Sequence, residues 1–299
     1  MSALPPRPVP GTPLSQLGWP ASGPLPELAP GSKVHFVGIG GAGMSALAEV
    51  MAARGIEVSG SDRSAGPFAA LLRSRGIRVV IGHRADGVAS DTVLVVRSPA
   101  VPTDNLEIVA AERHGIPVVK RAVLVGGLLD AMRGISVAGT HGKTTTSGLI
   151  AWICVRAGLD PVVLVGGDVP DIGGNARCGR GPVLVLEADE YDRTFLHGHS
   201  WLAVVLCVEH DHPDIYPDLD AVRDAFRAFV RLVRDDGKLI LGAGSAGAGY
   251  LEDAATVPVE LFGLADDPLP AATMARWQLA DRQQRDEDQH FAVARDGEP

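Results

Sequence analysis

Cysteine is scarce in this chain: 299 residues carry three, Cys154, Cys178 and Cys207. Their spacing matches no metal motif, which excludes a cysteine-based metal centre, and the odd count in a chain this long fits a reducing compartment better than a disulfide framework. No apolar run approaches the roughly 18 residues of a membrane span. The N-terminus has no basic-then-apolar signal pattern. Positive charge is also in deficit, with 27 Lys+Arg against 36 Asp+Glu and a net charge of −9. That balance argues against a nucleic acid or an anionic membrane as partner. These absences together predict a soluble cytoplasmic enzyme. The hydrophobic content of 46% and charged content of 21% are those of a globular α/β protein, and the length suggests about two domains.

The most informative stretch is Ile135-Ser-Val-Ala-Gly-Thr-His-Gly-Lys-Thr-Thr-Thr146. A β-branched run leads into two glycines and a lysine, then into an apolar helix-like segment around Leu149–Ile153. Strand, glycine-containing loop and helix N-terminus together make a cradle for polyphosphate. Gly139, Thr140, His141, Gly142, Lys143, Thr144 and Thr145 are the candidate ATP-binding residues, with the Thr144 hydroxyl placed for Mg²⁺. The first glycine of the general G-x-x-x-x-G-K-[ST] pattern is missing, because Val137 occupies its position.

Upstream, residues 1–31 hold nine of the 22 prolines and little periodic apolar pattern, which predicts a disordered leader. Val34–Val37 reads as a strand, followed by Gly38-Ile-Gly-Gly-Ala-Gly43 and a helix from Met44 to Arg54. Gly38, Gly40 and Gly43 fit G-x-G-x-x-G, and Asp62 lies 19 residues past Gly43, where a dinucleotide fold places its ribose carboxylate. The motif reports a diphosphate on a helix N-terminus, which NAD(P) or a UDP-sugar supplies equally well. Alternating strand and helix patterns continue to Met132, with His83 and Ser98 just past strand ends. The chain from 32 to 132 is therefore expected to be a Rossmann-like, parallel-sheet domain. A second, P-loop ATPase-type α/β domain is expected over 133–299.

Within that second domain Val183–Leu186 runs straight into Glu187-Ala-Asp-Glu-Tyr-Asp192. Glu187, the first residue off the strand, is the candidate metal ligand, while Glu190 and Asp192 read as surface acids. Leu202–Val208 reads as the next buried strand and ends in Glu209-His-Asp-His-Pro-Asp214. Mg²⁺ prefers oxygen, so a histidine there serves as an occasional ligand or a donor; zinc competes but finds no matching Cys/His pair elsewhere. Asn175 and Arg177 fall in an expected glycine-rich loop, and the pattern fades beyond Ala265 except for a strand-like Phe291-Ala-Val293.

Three separated motifs carry a resemblance over about residues 32–245: Gly38-Ile-Gly-Gly-Ala-Gly-Met-Ser45, Gly139-Thr-His-Gly-Lys-Thr-Thr-Thr146, and Glu187-Ala-Asp-Glu-Tyr-Asp192 with Asp211, His212 and Asp214. The chain resembles the Mur ligases. The histidine in Gly-Thr-His-Gly-Lys-Thr and the Glu-Ala-Asp-Glu string favour the alanine-adding branch, and the murein-peptide recycling branch shares both. The resemblance implies ATP-driven amide formation between UDP-N-acetylmuramate and L-alanine through an acyl phosphate, for peptidoglycan precursor synthesis. It implies Lys143, Thr144, Glu187 and His212 as catalytic residues, and Thr144, Glu187 and His212 around Mg²⁺. Gly38, Gly40, Gly41, Gly43, Met44 and Ser45 would grip the UDP diphosphate, with Asp62, His83 and Ser98 as uracil or ribose contacts.

Departures from the family pattern stand beside these matches. Cys207 occupies a position where the family usually has asparagine, and no carbamylated lysine follows Asp214. The family carries a third, C-terminal domain that this sequence does not reach. The resemblance therefore implies a chain that binds UDP-sugar but ligates weakly alone, with the missing domain on a separate chain as one solution. A UDP-sugar-binding module without catalysis and an NAD(P) oxidoreductase are the competing readings.

Overall fold

The structure is a computed structural model that describes residues 25–243, 249–264, 276–285 and 288–296. Its fold is mixed α/β and divides into two compact units. One takes the chain up to Gly134 together with Ser147–Leu186, the other Ile135–Thr146 together with the chain from Glu187 onward. The chain passes between the units three times.

The first unit opens with β1 (Lys33–Val37), α1 (Ala42–Ala53), β2 (Glu57–Asp62), α2 (Pro67–Ser74) and β3 (Arg78–Ile81). It continues with β4 (Thr92–Arg97), α3 (Leu106–Arg113), β5 (Val118–Lys120) and α4 (Arg121–Ala131). The five strands pair in parallel in the order β3-β2-β1-β4-β5. The order reverses beside β1, and that switch point is where an open parallel sheet presents its ligand crevice. Local chemistry sets the helix starts. Pro67 occupies the first turn of α2, where its missing N–H costs nothing, and the Asn105 side chain accepts from Glu107 N at 2.9 Å to cap α3.

The chain then makes β6 (Arg133–Ala138) and α5 (Lys143–Arg156), and returns to the first unit with β7 (Val162–Val169), β8 (Gly174–Cys178) and β9 (Val183–Glu187). Leu28, Phe36, Leu47, Met51, Leu72 and Leu94 share one buried cluster with Val162, Leu164 and Leu184. α1 is apolar on more than one side for this reason. Buried Arg54, just past its end, donates to the carbonyls of Gly179 (3.4 Å) and Gly181 (3.2 Å). Two sequence expectations need correction here. The segment holding Asn175 and Arg177 is a strand, β8, paired antiparallel with β7 after a turn through Gly173 (φ +87°) and Gly174 (φ +129°). The expected leader also ends earlier than residue 31, since Leu25 and Leu28 are buried in the cluster; residues 1–24 lie outside the described residues.

The second unit is built on β6, β10 (Leu202–Val205), β11 (Lys238–Gly242), β12 (Val259–Leu264), β13 (Trp277–Arg285) and β14 (Asp288–Arg295), in the run β14-β13-β12-β11-β10-β6. Pairing is parallel from β6 to β13 and antiparallel between β13 and β14. α6 (Leu219–Val230) starts at Asp218, whose carboxylate accepts from Ala221 N at 2.8 Å. It buries Phe226 and Phe229 against Phe195, Leu239 and Leu241. The β13–β14 hairpin corrects the expectation that pattern fades after residue 265. Its start is pinned by the Glu260 carboxylate, which accepts from Lys238 Nζ (2.7 Å), Arg276 Nη1 (3.0 Å) and Trp277 Nε1 (2.7 Å). Residues 265–275 lie outside the described residues. Among the described residues no helix is long and apolar enough to cross a membrane.

Candidate active site

β6 pairs with β10 along Ile135–Ala138, burying Ile135 and Val137 on one face and Ser136 and Ala138 on the other, and the chain leaves the sheet after Ala138. Gly139 has φ +138° and Gly142 φ +81°, and a Cβ on Gly139 would sit 3.1 Å from the Cys207 backbone N and O. The loop is thus tied to the segment after β10. Thr140 N donates to Cys207 O (3.0 Å), Glu209 N donates to Thr140 Oγ1 (2.8 Å), and His141 N donates to the Cys207 sulfur (3.4 Å). The Cys207 sulfur is thus one of the groups that hold the loop. His141 itself is exposed, with Nε2 3.6 Å from the exposed Glu209 carboxylate.

Lys143 begins α5 and folds back over the loop. Its ammonium donates to Gly139 O at 2.8 Å and to both oxygens of Glu190 at 2.9 Å. Glu190 is 2% exposed. Thr144 Oγ1 donates to Glu187 Oε1 at 3.1 Å. His212, at φ +54°, sets Nε2 3.7 Å from Glu190 Oε1, and its ring meets Tyr191 edge-on at 5.2 Å. Tyr216 OH donates to Glu190 O at 2.7 Å and fixes that turn from beneath. Asp189, Glu190 and His212 bring one ligand atom each within 4.8 Å of one another. Two carboxylates and an imidazole suit a hard divalent cation that tolerates one nitrogen. The Thr144–Glu187 pair adds two further oxygen donors in the same unit.

In the first unit, the loop after β1 has the form of a diphosphate cradle. Gly38 has φ +83°, and a Cβ there would meet Ser98 Cβ at 2.9 Å. Gly40 N donates to Asp62 Oδ2 at 2.8 Å, so the Asp62 carboxylate holds the loop itself. Gly41 caps α1 without any side-chain acceptor, which leaves the first-turn N–H groups for an anion. Met44 is buried in the core, Ser45 Oγ donates to Ala42 O at 3.0 Å, and the N–H groups of both donate to Gly41 O (3.1 and 2.8 Å). Arg121, at the start of α4, brings Nη1 to 2.7 Å from where a Gly43 side chain would begin. His83, just past β3, turns Nδ1 inward onto Ser61 Oγ at 2.9 Å.

Residues 33–133 match the model of the Mur ligase family, catalytic domain, and residues 137–297 that of the Mur ligase middle domain. The chain belongs to the Mur ligase family. It is 44% identical over 243 residues to the UDP-N-acetylmuramate–L-alanine ligase of Rubrobacter xylanophilus, covering 81% of this chain and 54% of that protein. It is 39% identical over 266 residues to the enzyme of that name from Burkholderia ambifaria, covering 89% and 56%. Among solved structures it is similar to the UDP-N-acetylmuramate:L-alanyl-gamma-D-glutamyl-meso-diaminopimelate ligase of Neisseria meningitides, with TM-score 0.73, 30% identity, and 90% and 85% of the chains covered. The UDP-N-acetylmuramate-alanine ligase of Thermotoga maritima gives TM-score 0.72 at 30% identity, covering 89% and 58%. The chain spans about half the length of the curated relatives it matches.

For this Mur ligase chain the structure brings Lys143, Thr144, Glu187 and His212 into one unit around the loop of 139–146. His212 lies with Asp189 and Glu190, and Glu187 with Thr144. Glu190, read from sequence as a surface acid, is instead buried on Lys143. The short 3-10 turn Tyr191–Leu196 folds the acidic string back on itself, with Phe195 N donating to Asp189 O, and this encloses Glu190. Arg121 beside Gly43, and Cys207 as a loop-holding group, were likewise outside the sequence-predicted site. No signal in the sequence separates Glu190 from the acids beside it.

Proposed function

We propose that this chain supplies the nucleotide-sugar-binding and ATP-binding parts of a ligase that joins L-alanine to UDP-N-acetylmuramate through an acyl phosphate. The observation that carries the proposal is the Lys143–Glu190 pair at the mouth of a glycine-bent loop, with Thr144–Glu187 and His212 beside it. Phosphoryl transfer asks for positioning and charge neutralisation more than for covalent help. Backbone N–H groups of Gly142 to Thr144 would bind the β-phosphate, and Lys143 would turn from Glu190 to the transferring phosphoryl group. Thr144, Glu187, Asp189, Glu190 and His212 are the residues that would hold Mg²⁺. An ion held there would supply charge neutralisation for the phosphates. Glu190, released by the lysine, then balances charge among the remaining groups instead of facing water. The loop of 38–43, the α1 N-terminus and Arg121 would hold the UDP diphosphate.

Calorimetric titration with UDP-N-acetylmuramate, then with ATP and Mg²⁺, tests the reading; binding of both is the expected result. ADP release on adding L-alanine reports the whole reaction. A chain that binds neither nucleotide refutes the proposal, and quenching of NADPH fluorescence instead would favour an oxidoreductase. A second reading, addition of a murein tripeptide, draws on the likeness to the Neisseria ligase. It requires faster ADP release with L-alanyl-γ-D-glutamyl-meso-diaminopimelate than with L-alanine.

A further inference from the structure

Three segments of the first unit converge on one carboxylate that the proposed chemistry does not use. Glu107, in the first turn of α3, is 1% exposed. Ser61 from β2 donates its hydroxyl to Glu107 Oε2. His83, just past β3, places Nδ1 3.3 Å from that same oxygen, and Arg84 N reaches Oε1 at 3.4 Å. His35 from β1 is 2% exposed, with Nδ1 2.9 Å from Ser59 Oγ and Nε2 3.7 Å from Glu107 Oε2.

We propose that Glu107 and Ser61 are positioning residues that lock His83 as its Nδ1–H tautomer and so present Nε2 as an acceptor for the imide N–H of a uracil base. Proton counting carries the first half. A serine hydroxyl has one hydrogen, and that of Ser61 is given to the carboxylate. The 2.9 Å contact between Ser61 Oγ and His83 Nδ1 therefore needs the ring to donate. The 3.3 Å approach of Nδ1 to Glu107 needs the same, because an ionised carboxylate only accepts. Burial pushes the Glu107 carboxyl up, but the His35 ring 3.7 Å away and the hydrogen bonds from Ser61 and His83 outweigh it and hold the group below its ordinary value. With hydrogen on Nδ1, the neutral imidazole carries its lone pair on Nε2, on the ring edge turned from the carboxylate. The His83 side chain keeps 21% of its surface exposed for a ligand.

The second half rests on the UDP-sugar reading. A diphosphate on the loop after β1 and the N-terminus of α1 directs the nucleoside across the ends of β2 and β3, since β4 lies on the opposite side of β1. His83 follows β3, beyond Asp62 at the end of β2, and so meets the base. Uracil offers one ring N–H between two carbonyls. Cytosine has a lone pair at that place, which would face the lone pair of Nε2. A site that supplies an acceptor of this kind discriminates by the group it leaves unpaired.

The experiment combines a spectrum with a titration on the full chain labelled with ¹⁵N-histidine. Long-range ¹H–¹⁵N correlation at about pH 8, above the ordinary histidine range, reads the tautomer, with His83 assigned by His83→Gln. The native ring is expected as Nδ1–H, and Ser61→Ala or Glu107→Gln, whichever folds, should admit the Nε2–H form that free histidine favours. In parallel UDP should bind, with N3-methyl-UDP and CDP weaker on the order of tenfold or more. A native ring carrying hydrogen on Nε2 overturns the proposal, and so does N3-methyl-UDP binding as tightly as UDP. Failure of UDP itself to bind overturns the nucleotide-sugar reading, while the spectrum still decides the lock.

Discussion

Glu107 and Glu190 are both buried almost completely, and their partners differ in kind. Glu190 is held by Lys143, a long flexible cation on a loop whose other partner is a carbonyl of the same loop. Glu107 is held by groups on β1, β2 and the turn after β3, all short side chains or backbone. One carboxylate has a partner that a phosphate can take away. The other has partners that nothing the size of a substrate can displace. A buried ion pair with an exchangeable cation belongs where charge must move during a reaction; a buried acceptor ringed by fixed donors belongs where a side chain must keep one orientation.

Three measurements would break or sharpen that contrast. Lys143→Ala should cost the most, about 10²- to 10³-fold in ATP-dependent ADP release, as loss of a transition-state charge donor does. UDP-sugar affinity should stay within about twofold, since the two sites lie in different compact units; equal loss of both would mean that the loop is structural. Glu190→Gln keeps the shape but removes the charge under Lys143. Leaving that ammonium short of its counter-charge should destabilise the second unit by about 1–3 kcal/mol in urea unfolding. A variant as stable as the native chain would show that Lys143 finds equal partners elsewhere, and the exchange picture would fail.

The smallest effect is a pH dependence. Because the folded chain holds the Glu107 carboxyl below its unfolded value near 4.5, Glu107 contributes stability above that value, and the contribution is lost as pH falls through the folded pKa. Glu107→Gln should therefore lower stability at pH 7 while flattening its decline between about pH 5 and pH 3. Parallel pH curves for the two proteins would show that the carboxylate titrates alike folded and unfolded.

What was legible in the sequence was what is decided locally. Val34–Val37 with its glycines, and Ile135–Thr146 with Gly-Lys-Thr, announce strand, loop and helix by composition alone, and both appear in place as β1–α1 and β6–α5. Helix ends marked by Pro67, Asn105 and Asp218 were equally readable, because capping is a matter of neighbouring residues. Burial of individual polar groups was not readable. Glu190 differs from its acidic neighbours only through the Tyr191–Leu196 turn and the hydroxyl of Tyr216. Glu107 looks like any first-turn acid until His35, Ser61 and His83 arrive from separate strands. β8 escaped notice because Gly-Asn-Ala-Arg-Cys is short, opens on glycine and has no β-branched or aromatic residue, although Ala176 and Cys178 alternate with polar neighbours; its strand state comes from pairing with β7.

The threefold passage of the chain between units has a consequence for synthesis from N- to C-terminus. The first unit needs Val162, Leu164 and Leu184 for its core and Gly179 and Gly181 for Arg54. A nascent chain that has released all five strands of the parallel sheet still leaves one side of α1 bare and a guanidinium without its carbonyls. The phosphate-loop segment emerges next, ahead of β7 and β9 and of the strands β10 to β14 that complete its own unit. Each unit thus waits on residues made later, and a ribosome stalled between residues 134 and 186 would hold a sticky intermediate, a natural client for a chaperone.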